Sequence, residues 1–162
     1  MGRPPDRGSD SADRRRLDHG LLPSLLGYVL QRAQTSVFAD FSATFARAGE
    51  AVTPGEFGLL VLVDRNAGIS QTRLAGALGI DRSTLVPILD RLQDRGLLAR
   101  NRSPTDGRTH ALALTAAGRK ALARFSRLVR GHEKRVASGL SADETRTLIA
   151  LLDKVHRAAR SL

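Results

Sequence analysis

Residues 70–100 read SQTRLAGALGIDRSTLVPILDRLQDRGLLAR, and the fold turns on whether this stretch is one helix or two. Ser70 is placed to cap a first short helix anchored by Leu74, Leu78 and Ile80, and Gly79 stops it. Asp81 then opens a second helix, in which Leu85, Ile88, Leu89 and Leu92 form one apolar stripe and Gly96 is the stop. Two short helices joined by a tight glycine-containing turn make a helix-turn-helix. Immediately afterwards GLLARNR and THALALT alternate weakly with period two around the connector SPTDG, which holds a proline and an Asp-Gly turn. A hairpin directly after a helix-turn-helix is a wing. Arg102 and Arg108 stand on either side of its turn, where like charges repel. That placement makes sense when something negative lies between them.

Working outward, TPGEFGLLVLV (53–63) starts with a capping box: Thr53 as N-cap, Pro54 at the first helical position and Glu56 three residues on. The run Phe57 to Val63 is apolar all round, so this helix is expected at the centre of the core. Further upstream, Leu22, Leu25, Leu26, Val29, Leu30, Ala33, Val37, Phe38, Phe41 and Phe45 recur at helical spacing over about seven turns from Leu21. Residues 1–16, MGRPPDRGSDSADRRR, are expected to be a disordered basic arm. Downstream, Thr115 caps a helix whose seam is Leu122, Phe125, Val129, His132 and Val136. Ser141 to Glu144 form another capping box before a last helix striped by Leu148, Leu151, Leu152, Val155 and Ala159.

The expected architecture is mostly α with a small β-hairpin wing. A winged helix-turn-helix lobe at 53–115 is flanked by long terminal helices at 17–48 and 116–162, all within one domain spanning 17–162. Those outer helices are expected to dimerise, since the apolar seams of the first, fifth and last would otherwise face water.

Charge supports the same reading. Lys and Arg number 26 against 16 Asp and Glu, a net charge of +10, which favours an anionic partner. The competing explanation is coding bias, since 23 of the 26 are Arg. Cysteine is absent, so thiolate metal sites and disulfides are excluded. No stretch reaches the roughly 18 apolar residues of a membrane span, and the N-terminus has no signal-peptide core, so a soluble cytoplasmic protein is expected. An enzyme finds no support: there is no Gly-rich phosphate loop, nucleophile elbow or HExxH, and the histidines at 19, 110, 132 and 156 are scattered. No cofactor or metal is expected. The remaining rival is an architectural nucleic-acid-binding protein without sequence choice.

DNA binding needs phosphate clamps, base contacts and a fixed register. Arg82, Ser83 and Thr84 occupy the first turn of the second short helix, Arg82 being the first choice for reading guanine. Pro87 sits inside that helix, off its main apolar stripe. It is expected to bend the helix and bring its ring to a thymine methyl. Ser70, Gln71 and Arg73 are expected backbone clamps. In the wing, Arg108 is the best minor-groove candidate, with Asp106 orienting it together with Arg100 or Arg102. Arg91 and Arg95 are open between DNA contact and bracing of their own fold.

The sequence resembles the MarR family of bacterial transcription regulators. DGRTHALALT fits the family's wing pattern through Asp106, Arg108, Leu112, Leu114 and Thr115, and residues 70–100 fit its two-helix core and the Gly-Leu entry to the wing. The resemblance covers about residues 20–160. It implies a homodimer on a pseudo-palindromic stretch of double-stranded DNA, most often as a repressor, released by a small molecule. LGYVLQRAQTSVFADF followed by TPGEFGLLVLV is similar to the branch that senses aromatic acids or their coenzyme A thioesters. The implied pocket would draw on Tyr28, Arg32, Phe38, Phe41 and Phe57. Arg124 and Arg127, on a basic face running from Arg119 to Arg135, would meet the thioester's phosphates.

Overall fold

A computed structural model describes residues 17–102 and 110–160, with the side chains of Arg102 and His110 outside that description. The expected arm at 1–16 and the wing tip at 103–109 also lie outside the described residues. The chain falls into two compact units, 1–35 and 36–162.

In the first unit, a 3-10 turn at Leu22–Ser24 precedes helix α1, which begins at Leu26 and runs to Arg47 in the second unit. The helical spacing had suggested an earlier start near Leu21. Pro23 lies in the 3-10 turn, and Leu25 is extended at φ −89°, ψ 119°, which separates the turn from the helix. Within this unit Leu22, Leu25, Leu26 and Val29 are exposed.

In the second unit α2 (Pro54–Arg65) lies at the centre, with Leu59, Leu60 and Val63 buried and Phe57, Val61 and Leu62 packed at the edge of the core. Its capping box forms as read: Glu56 N donates to Thr53 Oγ1, and Thr53 N donates to Glu56 Oε2 at 2.8 Å. Strand β1 (Ile69–Ser70) leads into α3 (Gln71–Leu78), and Gly79 ends that helix at φ +66°, a left-handed conformation that glycine adopts without strain. Helix α4 (Arg82–Asp94) buries Leu85, Leu89 and Leu92. Strands β2 (Leu98–Arg102) and β3 (His110–Leu114) pair antiparallel, with Leu98 opposite Leu114 and Arg100 opposite Leu112. β1 adds to the other side of β3, so the sheet order is β1-β3-β2. This third strand escaped the sequence reading because two residues are too few to show an alternation.

Helix α5 (Ala116–Val136) starts on the sheet. Thr115 Oγ1 accepts from Gly118 N at 2.9 Å and donates to Gly96 O at 2.6 Å, holding the helix start against the α4–β2 turn. The seam expected on α5 exists, but much of it is covered by the chain itself. Leu122, Phe125 and His132 are buried, with Phe125 edge-on to Phe45 of α1 at 5.5 Å between ring centroids. The inference that α5 requires a second subunit to cover its seam is therefore corrected. Helix α6 (Ala142–Ala159) is different. Its capping box forms at Ser141 and Glu144, yet it buries no residue, and Leu148, Ile149, Leu151 and Leu152 are exposed.

Candidate nucleic-acid interface and ligand residues

Helix α4 is anchored by its buried leucines and presents its opposite face outward. Arg82, Ser83, Thr84 and Pro87 are all exposed. Asp81 occupies the N-cap position, but its side chain makes no capping bond. The first free amides of α4 therefore point outward without a side-chain acceptor, next to an arginine, which is the arrangement that attracts phosphate. Ser70 is the N-cap of α3 and accepts from Arg73 N at 3.3 Å; Arg73 is exposed, and Ser70 and Gln71 are half-buried.

The rear half of α4 is bound up in bracing. Arg91 Nε donates at 2.7 Å to Glu56, a carboxylate only 3% exposed, and Arg95 donates to Ala51 O at 2.8 Å. Both arginines left open by the sequence thus tie α4 to the N-terminal end of α2. Arg100, read as a partner of Asp106 in the wing, is half-buried and paired with Asp90 of α4; its Nε is buried without a hydrogen-bond partner. It joins the start of the β2–β3 hairpin to α4. Arg102 lies in β2 opposite His110, while Asp106 and Arg108 lie outside the described residues.

The residues proposed for a ligand are spread over both units. In the first, Arg32 lies over the Tyr28 ring at 5.7 Å, and the Tyr28 hydroxyl is 3.4 Å from His19 Nδ1. In the second, Phe41 is buried and stacked on Phe45 at 4.5 Å, Phe57 is half-buried at the edge of the core, and Phe38 is exposed. Arg124 is engaged by Glu50 at 2.5 Å and lies over the Phe125 ring. Arg127 is exposed on the outer face of α5.

Two features were invisible to sequence reasoning. A cleft of about 380 Å³ between α2 and α5 is lined by Val61, Asp64, Arg65, Arg119, Leu122, Ala123 and Ser126. Arg119 there also donates to Leu114 O at 2.9 Å, which ties the cleft to the end of the wing strand. The second is a polar clasp between α1 and α5. His132, 1% exposed, has Nδ1 2.7 Å from Asp40 Oδ2, and Arg135 Nη2 donates to the same oxygen at 2.8 Å and also reaches Thr44 Oγ1. The bonds from Arg135 and then His132 hold the Asp40 carboxyl at about 2, against an ordinary 3.8. The helical spacing that put His132 on an apolar seam gave no hint of its partner 92 positions away. Among the described residues there is no cluster able to hold a metal ion, and no helix is long and apolar enough to cross a membrane.

Comparison with known proteins gives a consistent set of likenesses. A family model described as the MarR family matches residues 52–110. A putative transcriptional regulatory protein for the hcr operon of Thauera aromatica is 38% identical over 147 residues, covering 91% of this chain and 88% of that protein. Among solved structures, the transcriptional repressor CouR bound to a 23-mer DNA duplex is 44% identical, with a TM-score of 0.82, covering 87% of this chain and 99% of that one. CouR bound to p-coumaroyl-CoA is 43% identical, with a TM-score of 0.79, covering 88% of this chain and 99% of that one.

Proposed function

The chain belongs to the MarR family, and from that premise we propose that it is a ligand-responsive, sequence-specific transcriptional repressor, working as a homodimer on a pseudo-palindromic operator. The observation that carries this reading is the exposed, uncapped first turn of α4, with Arg82, Ser83 and Thr84 standing on a helix whose other face is locked into the core. That turn enters a major groove, where Arg82 reads guanine and the free amides bind phosphate. Ser70, Gln71 and Arg73 clamp the adjoining backbone. Arg108, supported by Asp106 and Arg102, reaches the flanking minor groove. Arg100 acts by holding the wing to α4 through Asp90 rather than by touching phosphate.

Dimerisation follows from exposed apolar surface. An 18-residue helix that buries nothing and exposes Leu148, Ile149, Leu151 and Leu152 is unstable as a solvated surface, and the leucines around Leu22–Leu26 are in the same position. The stretch around Leu22–Leu26, within 17–48, and helix α6, within 116–162, accordingly supply the subunit contacts, and 53–115 the reading lobe. A twofold pair sets two copies of α4 about 34–36 Å apart, one helical turn of DNA.

The effector is a small aromatic acid or, by the likeness to CouR, an aromatic acyl-CoA thioester. Tyr28, Arg32, Phe38, Phe41 and Phe57 serve the aromatic part, and exposed Arg127 serves the phosphates, with Arg124 contributing when released from Glu50. Ligand that favours a dimer with the wrong head spacing lowers DNA affinity by its differential affinity for the two states. The protein acts in the cytoplasm and catalyses no reaction.

The test is binding to DNA flanking the chain's own gene at about 150 mM salt with competitor DNA, repeated with p-coumaroyl-CoA and free p-coumarate. A protected pseudo-palindrome released by the thioester supports the reading. Binding that competitor DNA strips away completely overturns it in favour of an architectural protein. Arg108→Ala is expected to reduce the salt slope by about 1, and an unchanged slope removes Arg108 from the interface.

A further inference from the structure

Helix α4 runs unbroken from Arg82 to Asp94 with Pro87 inside it. A proline there is costly, and nothing in the packing asks for it. Leu85 and Leu89 are fully buried, Val86 and Ile88 are half-buried, and Pro87 is exposed. Proline has no N–H, so the Ser83 carbonyl, which an ordinary residue at 87 would engage, is left without its helical donor. Ser83 and Pro87 are one turn apart and share a face. Beyond them that face is already occupied: Asp90 is paired with Arg100, and Arg91 with Glu56. The exposed face of α4 therefore carries, at Ser83 and Pro87, a backbone acceptor that lacks its usual helical N–H partner beside an apolar ring.

On the reading of α4 as the DNA-reading helix, which this inference rests on, we propose that Ser83 and Pro87 together determine specificity for one A·T base pair in each half-site. In the major groove an A·T pair presents the adenine N6 amine, a donor, and the thymine C5 methyl, an apolar group, on one edge. The Ser83 carbonyl accepts from the amine, and the Pro87 ring packs on the methyl. A G·C pair offers cytosine's N4 amine but no methyl, so it satisfies only half of the arrangement. Arg82 and Thr84 read neighbouring positions; Pro87 converts the backbone itself into a reading group.

The experiment begins with duplexes selected by the wild-type protein from a randomised pool. At each selected A·T pair, thymine is replaced by deoxyuridine, which removes the methyl, and in separate duplexes adenine by 2-aminopurine, which removes the N6 amine. One position is expected to show both losses in the wild type, roughly fourfold for uracil per half-site and roughly fivefold for 2-aminopurine. Pro87→Ala restores the N–H that occupies the Ser83 carbonyl and removes the ring, so both losses vanish and G·C is accepted at that position. Pro87→Val restores the N–H but keeps apolar bulk, so the uracil loss survives and the 2-aminopurine loss disappears. Both variants remove a helix-disfavouring residue, and thermal melting is expected to show them folded and no less stable than wild type. The inference is overturned if no position shows both losses, if Pro87→Ala keeps the wild-type pattern, or if folded Pro87→Ala loses all DNA binding. A pool that yields no enriched sequence with wild-type protein refutes the regulator reading itself, and this inference with it.

Discussion

Among the described glycines, Gly118 at the start of α5 is the one where an added methyl would collide with backbone. A Cβ built there would lie 1.9 Å from Leu97 O and 2.9 Å from Leu97 C, both backbone atoms that no rotamer change can move aside. Gly118→Ala therefore requires the start of α5 and the α4–β2 turn to part by roughly 1 Å before the contact is tolerable. That movement strains the two bonds that cross the joint: Thr115 Oγ1 to Gly96 O at 2.6 Å and Thr115 N to Leu97 O at 3.2 Å. Overpacking of this kind costs about 1–3 kcal/mol, and two weakened hydrogen bonds add about 2 kcal/mol. The better helix propensity of alanine returns about 1 kcal/mol. The net expectation is a destabilisation of about 2–4 kcal/mol, read by urea denaturation as a lower midpoint at unchanged slope. Gly131→Ala is the control, on the same helix, where the added methyl meets only the tip of Arg135 at 3.8 Å. That variant is expected to gain up to about 1 kcal/mol. If the two variants shift stability in the same direction, the close approach at Leu97 is not what holds this joint.

Three further outcomes follow from the same geometry. Glu56→Ala removes the acceptor of both Thr53 N and Arg91 Nε, so urea denaturation is expected to show a loss of about 2–3 kcal/mol, and a loss below about 1 would discount the brace between α2 and α4. Asp40, held at about 2 by Arg135 and His132, contributes stability that is complete above its ordinary 3.8 and fades as pH falls through 2. Asp40→Asn should abolish that portion of the acid limb in a stability-against-pH series from pH 5 to pH 2, and an unaltered limb would show that the clasp adds nothing. Leu148→Glu with Leu152→Glu places charge on the open face of α6, and sedimentation is expected to shift from dimer to monomer with the helical content of the lobe retained; a persistent dimer would put the interface elsewhere.

What the sequence disclosed and what it withheld divide along a physical line. Caps, helix stops and apolar stripes are local, so Thr53, Ser70, Thr115 and Ser141 were each legible as N-caps, and each accepts the expected backbone hydrogen. Exposure of Arg82, Ser83 and Thr84 was legible for the same reason, since the buried stripe on α4 dictates which face remains. Ion pairing across the fold was not. Arg91 with Glu56, Arg100 with Asp90 and Arg124 with Glu50 join residues from different elements, and no spacing rule connects such positions. An arginine count therefore overstates the charge available to DNA or ligand, because a cation held by a carboxylate offers a partner less than its formal charge. The seam on α5 shows the converse error: its period was right, but a period identifies a buried face without saying whether the same chain or a second one buries it. The exposure of α6, where the stripe is present and none of the described residues buries it, distinguishes the two cases.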